Sequence, residues 1–255
     1  FETGHRLHAS APFVDLIRLM KVVAVVPAWN EAQAIGEVLD GLLSRVDAII
    51  VVDDGSTDST ADVARVVTPL GPPLTRGETG GGVHVIRHVL NRGLGAAIAT
   101  GIRAALADGA DIVLTFDADG QHRPEDVAAM LAPIREGRAD VVIGSRMLTK
   151  EGMPFVRRVA NRIGNVVTAA LFGAHVSDSQ SGLRAFSRAA AEQIQIRTDR
   201  MEVSSEIVAE IFRHKLRLVE VPIKSVYTTY SLSKGQSFVM GLKTLGRLIV
   251  RRALR

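Results

Sequence analysis

The sequence predicts an α/β fold with a mainly parallel central sheet flanked by helices. Three features carry this. Short β-branched runs alternate with longer amphipathic stretches. The runs are apolar throughout, as strands covered on both faces must be. Turn residues and carboxylates follow four of the runs, where a chain leaves a sheet for a crossover helix.

Taken in order, Lys21 to Val26 reads as the first strand, and Glu31 to Leu43 as a helix with Ile35, Val38, Leu39 and Leu42 on one stripe. Ala48 to Val52 is a second buried strand, ending in Asp53-Asp54-Gly55-Ser56. Ser56 or Asp58 is placed to cap the following helix, which runs through Val67. Residues 68–82, rich in Pro and Gly, form a loop to which no function is assigned. Val83 to Val89 is a third strand, followed by Asn91-Arg92-Gly93-Leu94-Gly95 and a helix through Leu106. Ile112 to Phe116 leads into Asp117-Ala118-Asp119, then a helix from Pro124 to Arg135 and a strand from Asp140 to Ile143. This β-α-β-α-β-α-β-α-β order implies right-handed crossovers.

Beyond Arg146 the rhythm changes. Val156 to Phe172 is an amphipathic helix bearing Arg157, Arg158 and Arg162. A polar turn at Asp178 to Gly182, a helix at Glu202 to His214 and a strand at Leu218 to Ile223 come next. A last helix, Phe238 to Leu254, has Phe238, Leu242, Leu245 and Ile249 on one face, and Lys243, Arg247 and Arg251 on another. The division expected is a leader, tag or upstream extension at 1–19, a catalytic domain at 20–225, and a basic loop and amphipathic helix at 226–255. The leader lacks the pattern of a signal peptide, and Met20 is a candidate start.

Composition narrows the chemistry. The chain has 255 residues, 47% hydrophobic and 23% charged, which is globular rather than disordered. It has no cysteine, which excludes disulfides, Cys-based zinc sites and thiol catalysis. The net charge of +4 is concentrated at the end: Val221 to Arg255 holds seven Lys or Arg and no Asp or Glu. Such a tail suits a membrane surface, nucleic acid or an acidic partner, or is simply a solvated helix face. Nucleic acid is disfavoured by the 4% aromatic content and the lack of a recognition motif.

In parallel sheets ligands bind at the carboxyl ends of the strands. Polar clusters stand at four such ends, at Pro27 to Glu31, Asp53 to Asp58, Asn91 to Gly95 and Asp117 to His122. Any one is explicable as a helix cap; four together point to a site. Asp117 and Asp119, one residue apart at a strand end, can turn towards one divalent cation, with Gln121 adding a neutral oxygen. Mg²⁺ and Mn²⁺ favour such hard oxygen ligands. A dinucleotide fingerprint is not met: Ile98 stands where Gly93-Leu94-Gly95 would need a third glycine, and the turn Pro27-Ala28-Trp29-Asn30 has none. There is no Walker A sequence and no G-x-S-x-G elbow.

Together Val25-Val26-Pro27-Ala28-Trp29-Asn30-Glu31, Val51-Val52-Asp53-Asp54-Gly55-Ser56-Thr57-Asp58, Asn91-x-Gly93-x-Gly95, Asp117 to His122 with Pro124-Glu125, and Gly144-Ser145-Arg146 resemble family 2 glycosyltransferases. The resemblance spans Lys21 to about Ile223. It is strongest to polyprenyl-phosphate sugar transferases of the dolichol-phosphate mannose synthase kind, through the Asp117 to His122 run and Asp178-x-x-Ser181-Gly182-x-Arg184. It implies a GT-A fold, a nucleotide-diphospho-sugar donor of the GDP-mannose or UDP-glucose type, Mg²⁺ or Mn²⁺, and inversion at the anomeric carbon. Carried over by position, Pro27, Ala28, Trp29 and Glu31 line the base and ribose pocket, with Trp29 where relatives often have Tyr. Asp53 and Asp54 contact the base or ribose. Asn91, Gly95, Asp117 and Ala118 complete the nucleotide-sugar site, and Asp119 and Gln121, with Asp117, hold the metal. Arg146 and Arg184 are candidates to hold an acceptor phosphate or the donor diphosphate, or else form a structural ion pair. Asp178 is the candidate base, or else a loop anchor. Late in the chain the pattern departs. With Ser233-Lys234 aligned to the family's Arg-x-x-Gly-x-Ser-Lys element, Thr228 and Ser231 stand at the Arg and Gly places. Lys234 remains a candidate to close over the diphosphate.

The basic amphipathic helices at 156–172 and 238–254 suit either a bilayer surface or packing on the sheet or on a second copy in a homodimer. The expectation is a metal-dependent transferase from a nucleotide sugar to a polyprenyl phosphate, peripheral to the cytoplasmic face of a membrane. A soluble or polysaccharide acceptor, or a non-catalytic nucleotide-sugar binding module, are the alternatives.

Overall fold

In a computed structural model, residues 20–67, 82–149, 153 and 155–226 are described. The leader, nearly all of the 68–82 loop, Lys234 and the 238–254 helix lie outside the described residues.

Among the described residues seven strands form one sheet: β1 (Val22–Ala28), β2 (Ala48–Asp53), β3 (Gly82–Arg87), β4 (Ile112–Thr115), β5 (Val141–Ser145), β6 (Arg184–Ser187) and β7 (Leu218–Pro222). Their order is β3-β2-β1-β4-β6-β5-β7. β1 lies between β2 and β4, parallel to both, and every one of its residues is buried. Its side chains alternate between two cores. Val22, Ala24 and Val26 face one side with α1 (Ile35–Leu43) and α4 (Val127–Arg135), while Val23 and Val25 face α3 (Leu94–Ala107) and α8 (Val203–Arg213) on the other. A two-sided core is the physical reason for the uninterrupted β-branched run.

The sheet is mainly parallel but not wholly so. β6 lies between β4 and β5, antiparallel to both. Sequence reading passes over β6 because Arg184-Ala185-Phe186-Ser187 is four residues long and begins with a charge. Two short helices, α5 (Arg146–Thr149) and α7 (Arg188–Gln193), are likewise absent from the sequence expectation. The remaining helices are α2 (Thr60–Val66) and α6 (Phe155–Phe172).

Three boundaries differ for physical reasons. α1 starts at Ile35 rather than Glu31, because Asn30 is in the left-handed region (φ 55°) and the Glu31 carbonyl closes a turn onto the Ala34 and Ile35 amides. Ser56 does not cap α2; its hydroxyl accepts the Asn30 N–H at 2.9 Å, and the Asp58 carboxylate takes the Thr60 N–H. β3 stops at Arg87, where His88 turns inward to Asp54 and leaves Val89 and Leu90 in solvent.

Candidate active site

The carboxyl ends of β1, β2 and β4 lie side by side, which brings three of the four predicted polar clusters together. Pro27 and Ala28 are buried in β1, in register with Val52 and Asp53, while Trp29 emerges from the strand end with 53% of its surface exposed. The loop beyond it is pinned to the β2 side. The Asn30 side chain accepts the Thr57 N–H at 2.9 Å, and the Glu31 N–H donates to the Thr60 hydroxyl at 2.8 Å.

Asp53 and Asp54 do different work. Asp53 is fully buried, accepts the Ser56 N–H at 3.0 Å and pairs with Arg87 at 3.1 Å. Asp54 builds the neighbouring loop, accepting the Arg92 and Gly93 amides at 2.9 and 2.6 Å and holding His88 at 2.7 Å. Both Asp54 oxygens are thus engaged by the protein. Asn91 is exposed on that loop. Gly95 serves packing: its N–H donates to the Asp199 carbonyl at 2.8 Å, and a β-carbon there would lie closer than 3.0 Å to the Thr198 carbonyl. The glycines at 93 and 95 are therefore explained by the close approach of the 198–199 backbone.

Asp117 and Asp119 form the acidic centre. The Asp117 carboxylate meets His122 Nε2 at 3.2 Å, and the His122 ring stands edge-on to Phe116. Burial pushes the Asp117 carboxyl up, but the His122 hydrogen bond and the charges of His122, Arg184 and Arg146 outweigh it and hold it below the ordinary carboxylate range. Asp119 goes the other way, to about 6. Burial is the main cause and the Asp117 charge the next, with Glu31 adding to it and the Gln121 N–H at 2.9 Å opposing it. Ala118, between them, is buried. A cleft of about 470 Å³ opens beside this loop, lined among others by Glu37, Val38, Gly120, His122 and Arg123.

The third group comes from the sheet's other half. Arg146, at the end of β5, forks onto Asp178 with Nε at 2.7 Å and a terminal nitrogen at 2.9 Å, and its backbone N–H adds a bond at 3.1 Å. Asp178 is fully buried, so both of its oxygens serve this arginine. Arg184 is buried at the start of β6, donates to the Ser179 carbonyl at 3.1 Å, and has its Nε unpaired. Burial lowers its pKa to about 10 against the pull of Asp117 and Asp178, so it stays protonated at neutral pH. Gly182 makes room for Asp117, since a β-carbon would come within 3.0 Å of both carboxylate oxygens and Cγ.

A divalent cation suits this centre. Burial first, and the charges of Asp117 and Glu31 after it, disfavour the ionised Asp119 carboxyl, and a bound cation would offset that cost. Among the described residues no group of three or more His, Asp or Glu side chains is arranged to hold a metal by itself. Asp117 and Asp119 would therefore be at most two carboxylate ligands for a divalent cation, the number that hard cations such as Mg²⁺ commonly take from a protein.

Sequence reasoning assigns no role to His122, although it stands in the same run as Asp117. Nor does it single out His88, Asn165 or Glu220, whose contacts lie far away in sequence and leave no local signal.

Glycosyl transferase family 2 matches residues 23–195. An uncharacterized protein of Methanocaldococcus jannaschii is 44% identical over 94% of this chain and 95% of its own length. The UDP-N-acetylglucosamine–dolichyl-phosphate N-acetylglucosaminyltransferase of Methanococcus voltae is 37% identical, covering 90% of this chain and 95% of that one. The undecaprenyl-phosphate mannosyltransferase of Micrococcus luteus is 30% identical over 87% of this chain and 90% of its own. Among solved structures, glucosyl-3-phosphoglycerate synthase from Mycobacterium tuberculosis, in complex with Mn²⁺, UDP-glucose and phosphoglyceric acid, superposes with a TM-score of 0.68. It is 20% identical, and the match covers 98% of this chain and 83% of that one.

Proposed function

The chain belongs to glycosyl transferase family 2 and is a glycosyltransferase of GT-A fold, and on that premise we propose that it moves a sugar from a nucleotide-diphospho-sugar to a polyprenyl phosphate. The observation that carries the proposal is the meeting of two opposite charge sets. Arg184 is in register with Thr115, two residues before Asp117, Gly182 abuts the Asp117 carboxylate, and Arg184 bonds Ser179 next to the Asp178 that holds Arg146, so the candidate diphosphate-side ligand and both arginines meet at one place. A donor diphosphate and an acceptor phosphate are both anions, and a site that joins them needs cations between them.

In this reading Pro27, Ala28, Trp29, Glu31 and Asp53 border the nucleoside. Asp117, Asp119 and Gln121 are the residues that would hold Mg²⁺ or Mn²⁺. The metal, when bound, supplies positive charge that stabilises the leaving diphosphate. Arg146 and Arg184 orient the acceptor phosphate. One of its oxygens forms the new bond to the anomeric carbon as the old carbon–oxygen bond breaks, and its electron pair leaves with the nucleoside diphosphate. A phosphate monoester is largely ionised at neutral pH, with a second pKa of about 6, so no base is required. Asp178, fully engaged by Arg146, acts as the anchor of that arginine.

The acceptor lipid implies contact with a bilayer, and no described helix is long and apolar enough to cross one. α6 offers a peripheral alternative. Val159, Ile163 and Val166 recur on one face and are 41%, 52% and 62% exposed, with Arg162 beside them. Such a basic amphipathic helix suits an anionic lipid surface.

The test is nucleotide release with Mn²⁺ or Mg²⁺ from UDP-N-acetylglucosamine, UDP-glucose and GDP-mannose, each with and without a short-chain polyprenyl phosphate. Release stimulated only by the lipid is the expected outcome. Stimulation by 3-phosphoglycerate instead would move the acceptor to a soluble phosphate ester, and absence of any release would overturn the reading.

A further inference from the structure

We infer that Glu220 is a positioning residue that sets the Arg146 guanidinium through Ser177; its consequence for the acceptor rests on the reading given above. Glu220 lies on β7, paired with Ile143 of β5 and so two residues before Ser145. Its Oε1 accepts two bonds from Ser177, the N–H at 2.8 Å and the hydroxyl at 2.7 Å. With its proton given to Glu220, the Ser177 oxygen is left to accept from the Ser145 hydroxyl, 2.5 Å away. Ser145 immediately precedes Arg146, and Ser177 immediately precedes Asp178. One carboxylate oxygen therefore fixes the spacing of the two segments that form the Arg146–Asp178 fork.

The fork depends on that spacing. Two coplanar N–H groups must meet two carboxylate oxygens, and the Arg146 amide adds a third bond to the same group. On the other flank of Asp178, Asn165 of α6 accepts the Ser179 N–H and hydroxyl, each at 2.9 Å. Asn165 also donates to the Ser177 carbonyl. Asp178 is thus gripped on both sides, and the Glu220–Ser177–Ser145 chain ties the grip to β5, the strand that delivers Arg146. An ångström of slack at a reacting group costs about a hundredfold in rate, so the loss of this tie is expected to reach the substrate.

The variants are E220A, E220Q and S177A, with R146A as reference. E220Q keeps the Oε1 acceptor and is expected to retain both Ser177 bonds. The first readout needs no substrate: water exchange of the Arg146 Nε–H, followed by ¹⁵N NMR in the full chain. Exchange is expected to rise roughly tenfold in E220A, less in S177A, and to stay within about twofold in E220Q. The second is steady-state kinetics with a short-chain polyprenyl phosphate. E220A is expected to raise the acceptor KM roughly tenfold with the donor KM unchanged, E220Q to restore it, and E220A with S177A to be no worse than E220A alone. Wild-type exchange in E220A would overturn the positioning role. Raised exchange with R146A leaving acceptor KM untouched would keep that role and overturn the assignment of Arg146 to the acceptor. A defect in E220Q equal to that in E220A would show that the charge itself acts, and would also overturn the inference.

Discussion

Replacing Gly182 with alanine tests the acidic centre without removing any functional group. The added methyl would come closer than 3.0 Å to Oδ1, Oδ2 and Cγ of Asp117, where ordinary contact begins at 3.4 Å. Gly182 cannot yield easily, because its carbonyl accepts the Thr115 hydroxyl at 2.8 Å and it leads directly into β6. The carboxyl of Asp117 must yield instead, by about an ångström, and the His122 bond at 3.2 Å goes with it. Misplacement on that scale costs about a hundredfold in kcat/KM, or about 2.7 kcal/mol of transition-state stabilisation. The cost to the fold is far smaller, since a terminal side chain can rotate: about 1 kcal/mol for a mild overpacking, hence a Tm lower by about 2–4 °C. The assay is Mn²⁺-dependent nucleotide release alongside a thermal melt, with D117N for comparison. Wild-type kcat/KM and Mn²⁺ affinity in G182A would refute the placement of Asp117 in the metal and diphosphate site.

G95A is expected to act on stability, since its β-carbon meets the Thr198 carbonyl, a backbone atom that cannot rotate away; a urea midpoint should report a loss of about 1–3 kcal/mol. The Asp119 carboxyl, raised to about 6, takes a proton in the folded state before it does so unfolded, so the metal-free protein should gain stability as pH falls from about 6 towards 4. That proton competes with the cation, so titration calorimetry should find Mn²⁺ affinity falling over the same interval. I163E on the exposed face of α6 should abolish flotation with anionic vesicles at low salt while leaving the melt unchanged, because Ile163 is 52% exposed; undiminished flotation would remove α6 from the docking surface.

The site is legible in the sequence wherever a buried strand ends. The runs at Lys21 to Val26, Ala48 to Val52 and Ile112 to Phe116 announce themselves locally, because a strand covered on both faces must be apolar at every position. The residues just after each run therefore lie at the carboxyl edge of the sheet, and Trp29, Asp53, Asp117 and Asp119 are placed there by sequence alone. Arg146 and Arg184 are named on the same chain logic, with both a phosphate role and an ion-pair role open.

Only the tertiary structure decided how those residues are shared out. Asp54, read as a donor contact, accepts the Arg92 and Gly93 amides, and the N–H of Gly95, read likewise, donates to the Asp199 carbonyl. Asp178, read as base or anchor, is fully engaged by Arg146, 32 residues away. β6 is slotted antiparallel between β4 and β5, a placement that carries Arg184 and Gly182 to Asp117. Hydrophobic periodicity reports the solvent on either side of an element, and that information is local. The partner of a carboxylate or the neighbour of a four-residue strand is a relation between distant segments, which exists only once the sheet has closed.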